Sequence, residues 1–236
     1  MIELQAIDYR IGEQTFTGYL ADGSRDAHVP GVLVAHEGPG ITKHTRERTR
    51  MLAELGYVAF AADLYGENKP SLERAKQMVK QLRSDRSTLR RRTGAAFEVL
   101  LAHPHVDPER TAAIGFCFGG MAVLELARSG ADVHAVVGFH ADLTTTAAEP
   151  TRAFCGKVLV CLGADDPIVD AAQRSAFVAE MTAARVDWQM HVYGGAGHSF
   201  TNRDIDAFGF AGFAYHADAD RRSWQAMRAL FEEALV

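Results

Sequence analysis

The sequence has no long apolar run and no excess of basic residues. None of its apolar stretches approaches the roughly 20 residues that cross a bilayer, so a membrane-spanning helix is excluded. The opening letters MIELQAIDYRIGEQ carry acids early and contain neither a basic segment nor a long apolar one, so no secretion signal is indicated. We therefore expect a cytoplasmic protein with no membrane partner.

Cysteine is scarce, and its pattern argues against both disulfides and a bound metal. Cys117, Cys155 and Cys161 are odd in number and lack metal-binding spacing, which fits a reducing compartment. Neither an H-E-x-x-H motif nor a paired C-x-x-C motif occurs. We therefore expect scattered non-ligand histidines, no metal and no cofactor. The histidines weighed as ligands are His36, His103, His105, His140, His191 and His216.

Positive charge is also limited, because the formal net charge is -5. This balance disfavours a nucleic-acid partner. One basic stretch is interpreted as the solvated face of a helix, and its arginines are Arg83, Arg86, Arg90, Arg91 and Arg92. The chain has 236 residues, 47% of them hydrophobic, and a mean hydropathy of -0.09. Those values are typical of a globular protein, and we predict one domain over residues 1–236.

Short strand-like runs alternate with helical patterns along most of the chain. Strands are predicted at residues 29–35, 58–62, 111–116, 135–139, 157–163 and 188–193, after an antiparallel pair at 2–9 and 15–20. Helices are predicted near 45–55, 71–102, 118–129, 171–184 and 220–235. The alternation predicts an α/β fold, with a mostly parallel sheet of about eight strands and helices on both faces. Residues 139–157 leave no room for a large cap domain.

Residues 115–119, GFCFG, follow one predicted strand and precede a helix. They match the nucleophile elbow of α/β-hydrolases, with Cys117 where serine is usual. Glycines two residues to either side let the strand and the helix approach each other at this sharp turn. The helix amino terminus favours a thiolate over a thiol. Taken alone the motif is weak, because a cysteine among phenylalanines is more often an inert core residue.

Two further residues follow Cys117 in the chain order that this fold requires, first an acid and then a histidine. Asp166 lies in the loop after the strand 157–163, and His198 lies in a glycine-rich loop after the strand 188–193. Such loops leave the carboxyl ends of strands, where open α/β sheets bind ligands. Asp165 is one residue early for the Gly-x-x-Asp pattern, and Asp170 is expected to cap the following helix. We therefore predict a Cys117, His198 and Asp166 triad.

The expected roles are those of nucleophilic acyl transfer. His198 takes the proton of Cys117 and gives it to the leaving alkoxide, while Asp166 fixes the tautomer of the histidine. The tetrahedral intermediate needs two preorganised donors, and we predict the backbone N–H groups of Phe118 and Gly38. Water then attacks the thioester and releases the acid.

Together these residues resemble the dienelactone hydrolase family over nearly the whole chain. The resemblance implies hydrolysis of a small ester or lactone, such as carboxymethylenebutenolide to maleylacetate. It also implies that Glu37 contacts the resting Cys117 and takes part in generating its thiolate. The matching segments are residues 36–40 (HEGPG), 62–65 (ADLY), 115–120 (GFCFGG), 163–167 (GADDP) and 197–200 (GHSF).

The resemblance leaves the recognition of a substrate carboxylate open. Known members place an arginine four residues after the histidine, where this sequence has Asn202 followed by Arg203. A second family arginine falls near Arg86. We predict that Arg203 or Arg86 contacts a carboxylate. The pocket wall is predicted to include Tyr65 and Phe116.

Two other functions remain open at this point. A general carboxylesterase or thioesterase would use the same triad on a different substrate. A non-catalytic binding module or thiol redox sensor would oxidise Cys117 reversibly instead of acylating it. In each case the expected partner is a small molecule, and the protein is expected to be a monomer or a small homo-oligomer.

Overall fold

An eight-stranded sheet forms the centre of the protein in the computed structural model, which describes residues 2–67, 69–145, 154 and 156–236. Cys155 lies outside these residues, and so do residues 146–153 of the segment predicted to leave no room for a cap. In chain order the strands are β1 (Gln5–Ile11), β2 (Gln14–Asp22), β3 (Val29–Ala35), β4 (Val58–Ala62), β5 (Val106–Phe116), β6 (Ala135–Phe139), β7 (Lys157–Gly163) and β8 (Trp188–Tyr193).

The strand order across the sheet is β1-β2-β4-β3-β5-β6-β7-β8. β1 pairs with β2, and β2 with β4, in antiparallel fashion, whereas all pairs from β4 to β8 are parallel. The central strands β4 and β6 are buried along their whole length, because helices cover both faces of the sheet. The predicted fold class, a mostly parallel α/β sheet of about eight strands, is therefore confirmed.

Six α-helices accompany the strands in the described part of the chain. Side chains of α1 and α6 pack in one apolar cluster, and side chains of α2 to α5 pack in another on the opposite face. No helix among the described residues is both long and apolar enough to cross a membrane. The helices are α1 (Lys43–Glu54), α2 (Leu72–Ser84), α3 (Arg86–Leu101), α4 (Phe118–Arg128), α5 (Ala171–Ala183) and α6 (Ala217–Ala234).

The helical stretch predicted over residues 71–102 is two helices in the structure. Asp85 separates them with a non-helical backbone, at φ -120° and ψ 80°. Its carboxylate accepts a hydrogen bond from the backbone N–H of Thr88 at 2.9 Å, which caps α3. Because of the break, α2 is a separate helix above the carboxyl end of the sheet. Its residues line a cavity there together with Cys117.

Candidate active site

Cys117 lies at the sharp turn between β5 and α4. Its backbone has φ 54° and ψ -115°, in the left-handed half of conformational space that favours glycine. A Cβ on Gly115 would lie 2.1 Å from the carbonyl oxygen of Gly119, and one on Gly119 would lie 2.3 Å from that of Ala35. Both flanking glycines are therefore required by close backbone approach. The turn presents the Cys117 side chain to the cavity described below.

His198 and Asp166 meet at the same edge of the sheet. Nδ1 of His198 lies 2.8 Å from Oδ2 of Asp166, and both side chains are buried. The other carboxylate oxygen of Asp166 accepts the backbone N–H groups of Ile168 at 2.8 Å and Val169 at 3.3 Å. Burial favours the neutral acid, but the hydrogen bond and charge of His198 hold the pKa of Asp166 below its usual value. Asp166 is thus an ionised acceptor that orients the imidazole.

The charge state of His198 depends on Cys117. Burial alone lowers the pKa of an imidazole, but the nearby Cys117 and Asp166 raise the pKa of His198 to about 10. The Nε2 atom is buried and forms no hydrogen bond within the described residues. The aromatic rings of His140 and Phe213 lie 5.3 and 4.6 Å from the imidazole, centroid to centroid, and confine it. This arrangement favours the protonated imidazolium of His198.

Glu37 is a buried carboxylate that borders the same cavity as Cys117. Its Oε2 accepts a hydrogen bond from the Asn202 amide at 2.6 Å and lies 3.4 Å from Nδ1 of His44. Burial raises the pKa of an acid, but the contact with His44 lowers the pKa of Glu37 to about 2. Oε1 is buried and has no hydrogen-bond partner among the described residues. Asn202, the residue at the family's arginine position, therefore bonds Glu37.

A layer of buried polar side chains lies behind Glu37 and His198. Arg48 donates from Nε to Nε2 of His44 at 3.3 Å, and Thr201 Oγ1 lies 2.8 Å from Nε2 of His140. Asp220 on α6 accepts from Arg48 at 2.6 Å. None of these residues was predicted to belong to the active site. Their one signal was the i, i+4 spacing of His44 and Arg48 on the predicted helix.

The two predicted oxyanion donors, the backbone N–H groups of Phe118 and Gly38, lie at the start of α4 and in the loop after β3. Phe118 is the first residue of α4, so its N–H points outward from the amino terminus of that helix. Gly38 lies in the loop after β3, where its carbonyl oxygen accepts a hydrogen bond from the Tyr65 hydroxyl at 2.7 Å. Gly38 and Cys117 border the same cavity.

The cavity has a volume of about 760 Å³ and lies between α2 and the loop after β8. Its walls are mainly apolar, and Phe208 and Phe210 stack on each other at 5.8 Å at its margin. Apolar side chains that line it are Leu72, Ala75, Val79, Ile168, Ile205 and Phe213.

Neither predicted carboxylate-binding arginine lines this cavity. The Arg203 guanidinium stacks over the Tyr215 ring at 5.5 Å and borders a separate surface depression. Arg86 is buried, donates to the Thr144 carbonyl oxygen at 3.1 Å and contacts the sulfur of Met121. The side-chain directions of Arg203 and Arg86 are set by these contacts, which sequence spacing does not reveal.

The predicted aromatic wall residues also lie behind the cavity surface. Tyr65 is buried, with its ring 5.8 Å from that of Phe118, and supports the Gly38 loop. Phe116 is buried on the opposite face of the sheet, where its ring packs 4.9 Å from that of Phe139 and 4.6 Å from that of His44. Successive strand residues face opposite sides, so Phe116, next to Cys117, faces away from the cavity.

Cationic side chains occur on the α2 side of the cavity instead. Arg83 pairs with Asp142, and Lys76 pairs with Glu73 at 2.7 Å. Lys80 is exposed and borders the cavity between them. The spacing of positions 76, 80 and 83 places all three on one face of α2. Positive charge at the cavity, predicted for Arg203 and Arg86, therefore lies on Lys76, Lys80 and Arg83.

Among residues 2–67, 69–145, 154 and 156–236, one group of three potential metal ligands occurs, formed by Asp22, His103 and His105. Nδ1 of His105 lies 2.9 Å from Asp22 Oδ2 and 2.8 Å from Ser24 Oγ, so this nitrogen has hydrogen-bond partners without an ion. The group precedes β5, at the opposite end of that strand from Cys117. It plays no part in the site described above.

A mostly parallel sheet with a strained residue at a glycine-flanked strand-to-helix turn defines an α/β-hydrolase. The chain belongs to the dienelactone hydrolase family, whose sequence pattern matches residues 16–235. A putative carboxymethylenebutenolidase of Synechocystis is 29% identical over 92% of each chain. Family membership and this relative make the protein a carboxylic ester hydrolase.

Two solved structures have nearly the same fold. The structure named m3DLH is 44% identical, with a TM-score of 0.93, and the match covers 100% of this chain and 99% of the other. The dienelactone hydrolase-like promiscuous phosphotriesterase P91, from metagenomic libraries, is 39% identical with a TM-score of 0.95 over the same shares. Both matches extend over the whole described sheet.

Proposed function

We propose that the protein hydrolyses a small ester or lactone through a Cys117, His198 and Asp166 triad and a thioester intermediate. The observation that carries this proposal is the buried pair of His198 and Asp166, joined at 2.8 Å, beside a cysteine that raises the pKa of His198 to about 10. A histidine in this state holds the proton taken from the thiol and is ready to donate it.

The reaction begins with attack of the Cys117 thiolate on the substrate carbonyl carbon. The carbonyl oxygen becomes an oxyanion, which accepts hydrogen bonds from the backbone N–H groups of Phe118 and Gly38. When the C–O bond breaks, His198 donates its proton to the leaving alkoxide, and a thioester remains on Cys117. In a lactone the alkoxide stays tethered to the acyl group.

Hydrolysis of the thioester repeats the same steps with water. Neutral His198 removes a proton from the attacking water, and the second tetrahedral intermediate breaks its C–S bond. The carboxylic acid leaves, and the restored thiolate and imidazolium begin the next cycle. Asp166 stays ionised throughout and holds the His198 tautomer in place.

Burst kinetics test this proposal directly. With p-nitrophenyl acetate, we expect a burst of p-nitrophenolate equal to the enzyme concentration and an acetyl adduct of intact mass on Cys117. A binding module or a thiol redox sensor gives neither signal. Absence of both, in protein whose Cys117 is reduced, would refute the triad mechanism.

We propose a dienelactone-type substrate, with a carboxylate directed toward the cationic side of α2. Lys80 and Arg83 border the cavity, whereas Arg203 and Arg86 do not. The apolar walls suit the unsaturated ring, and the name of the Synechocystis relative supports the same substrate class. Neutral esters form the second candidate class, because apolar groups line most of the cavity and P91 is named a phosphotriesterase.

Substrate charge separates these two classes. We expect kcat/KM for a carboxylated dienelactone to exceed that of its methyl ester by roughly 10-fold, since a charge-assisted contact contributes about 1.5 kcal/mol or more. Lys80→Ala combined with Arg83→Ala removes the preference, while Arg203→Ala, the control, keeps it. Equal values for both substrates in the native enzyme would assign the protein to the neutral-ester class.

We also propose that Glu37 acts on the charge state of Cys117 through the negative charge of its buried carboxylate. The pKa of Glu37, about 2, keeps its carboxylate ionised throughout the working range. A nearby negative charge disfavours a thiolate, so Glu37→Gln is expected to shift iodoacetamide alkylation of Cys117 to lower pH by about one unit. Glu47→Gln on the exposed face of α1 is the control. Superimposable pH profiles would reduce Glu37 to a structural role.

A further inference from the structure

Four buried polar side chains form a continuous chain from Glu37 to α6, and the mechanism above uses only the first. His44 Nδ1 lies 3.4 Å from Glu37 Oε2, and Arg48 Nε donates to His44 Nε2 at 3.3 Å. Arg48 also donates to Asp220 Oδ1 at 2.6 Å. All four residues are at most 7% exposed, and buried polar groups of this kind are costly unless they are paired.

The contact with Arg48 determines which nitrogen of His44 carries the proton. A guanidinium can only donate and does not lose its proton in proteins, so His44 Nε2 must accept. The proton of the neutral imidazole therefore resides on Nδ1, the atom that faces Glu37. A doubly protonated His44 would set two N–H groups against each other at Nε2. Arg48 thus directs the N–H of His44 toward the Glu37 carboxylate, at an N–O distance of 3.4 Å that is an ion-pair contact and not a full hydrogen bond.

Arg48 itself is held from three sides. Besides the bond to Asp220, it donates to the Thr201 carbonyl oxygen at 2.7 Å, and its guanidinium lies over the Trp224 ring at 5.2 Å. These contacts join α1, α6 and the segment after His198. The tautomer of His44 is therefore fixed by groups that do not reach the cavity.

We propose that His44 and Arg48 are positioning residues for Glu37. Together with the Asn202 amide, His44 fixes Oε2 and keeps the carboxylate ionised, while Oε1 stays without a hydrogen-bond partner among the described residues, in a side chain that borders the same cavity as Cys117. The inference rests on the proposed function, because it assigns a purpose to the orientation of Glu37 in thiol hydrolysis. Without the Nδ1 proton, burial would outweigh the remaining contacts with Asn202 and Ser199 and favour neutral Glu37.

Groups on three elements face Glu37 and bear on its titration. They are His44 from α1, Ser199 and Asn202 from the segment after His198, and His140 from the end of β6. His44 in turn faces Arg48, Thr201 and the ring of Phe116. A test must therefore change the donor at His44 and leave the surrounding charges unaltered.

Two amide substitutions distinguish the contribution of Nδ1 of His44 from that of Nε2. The terminal group of asparagine occupies the place of Nδ1, so His44→Asn retains a donor toward Glu37. The terminal group of glutamine occupies the place of Nε2, so His44→Gln keeps a partner for Arg48 and loses the donor toward Glu37. We expect kcat/KM at pH 7 within about threefold of native for His44→Asn, and a loss of roughly 10-fold or more for His44→Gln.

The direct readout is the pKa of Glu37, followed by carbon-13 NMR of its carboxyl carbon and assigned with Glu37→Gln. We expect this pKa to rise by about one unit or more in His44→Gln and to stay near the native value in His44→Asn. The same Glu37 pKa and the same kcat/KM in His44→Gln and His44→Asn would overturn the proposal. The donor at Nδ1 would then have no effect, and His44 would serve only in packing. This titration needs no turnover, so it distinguishes failure of this inference from failure of the triad mechanism.

Arg48→Lys provides a second test if His44→Gln does not fold. Lysine keeps a cation beside Asp220 but lacks the Nε–H that fixes the His44 tautomer. The proposal requires a Glu37 pKa above the native value in this variant. An unchanged Glu37 pKa in folded Arg48→Lys would refute the role of Arg48.

Discussion

Replacing Cys117 with alanine is expected to lower kcat for every ester by about 10⁴-fold or more, with the fold intact. The side chain that forms the thioester is lost, and the remaining donors only polarise the substrate carbonyl for attack by water. Circular dichroism and thermal unfolding establish that the variant is folded. Its residual rate is measured under single-turnover conditions with p-nitrophenyl acetate, which detects slow chemistry in the presence of excess enzyme.

Cys161 provides the matched control for this experiment. It is fully buried in β7, and burial raises the pKa of its thiol to about 12, so it is inert at neutral pH. Cys161→Ala should therefore change stability more than kcat. Near-native turnover in Cys117→Ala, or a comparable loss of kcat in both variants, would contradict the assignment of Cys117 as the nucleophile.

The second large effect is expected at Asp166. Asp166→Asn should lower kcat by about 10²- to 10⁴-fold, because an amide can donate to Nδ1 of His198 and so stabilise the wrong tautomer. The backbone bonds to Ile168 and Val169 need only an acceptor oxygen, which asparagine retains. The loss should therefore appear in kcat with little change in unfolding temperature.

Asp165→Asn changes the neighbouring residue by the same single atom. Asp165 is exposed, whereas Asp166 is buried against His198, so we expect less than a threefold change in kcat. Steady-state kinetics on the two variants, compared with native enzyme, gives the ranking. A larger effect at Asp165 than at Asp166 would move the acid of the triad by one residue.

Much of the fold could be predicted from the sequence, because its determinants are local. Buried parallel strands read as apolar runs, and the strands β4, β6, β7 and β8 begin and end at the predicted residues. The turn at Cys117 was recognisable because two glycines are needed at fixed spacing around it. The Asp85 break in the long helical stretch was missed, since both flanking segments are good helix formers.

The residues around the site were harder to predict from the sequence, because the direction of a side chain depends on tertiary contacts. Arg203 has the right sequence distance from His198, but it stacks on Tyr215 outside the cavity. Lys80 borders the cavity because the break at Asp85 separates α2 from α3. Of the partners of Glu37, Asn202 lies 165 residues away in the chain and His44 lies on the next helix, α1, and the three residues form no sequence motif. Spacing rules apply within one helix or strand and do not predict contacts between side chains of different elements.

The strained backbone conformation of Cys117, which the nucleophile requires, also lowers the stability of the fold. A non-glycine residue in this region costs about 1 to 3 kcal/mol, while glycine adopts it without steric penalty. Selection for resistance to unfolding alone would therefore favour glycine at position 117, where β5 meets α4. The reactive thiol persists there at the expense of folding free energy, so thermostabilising substitutions must be sought elsewhere in the chain.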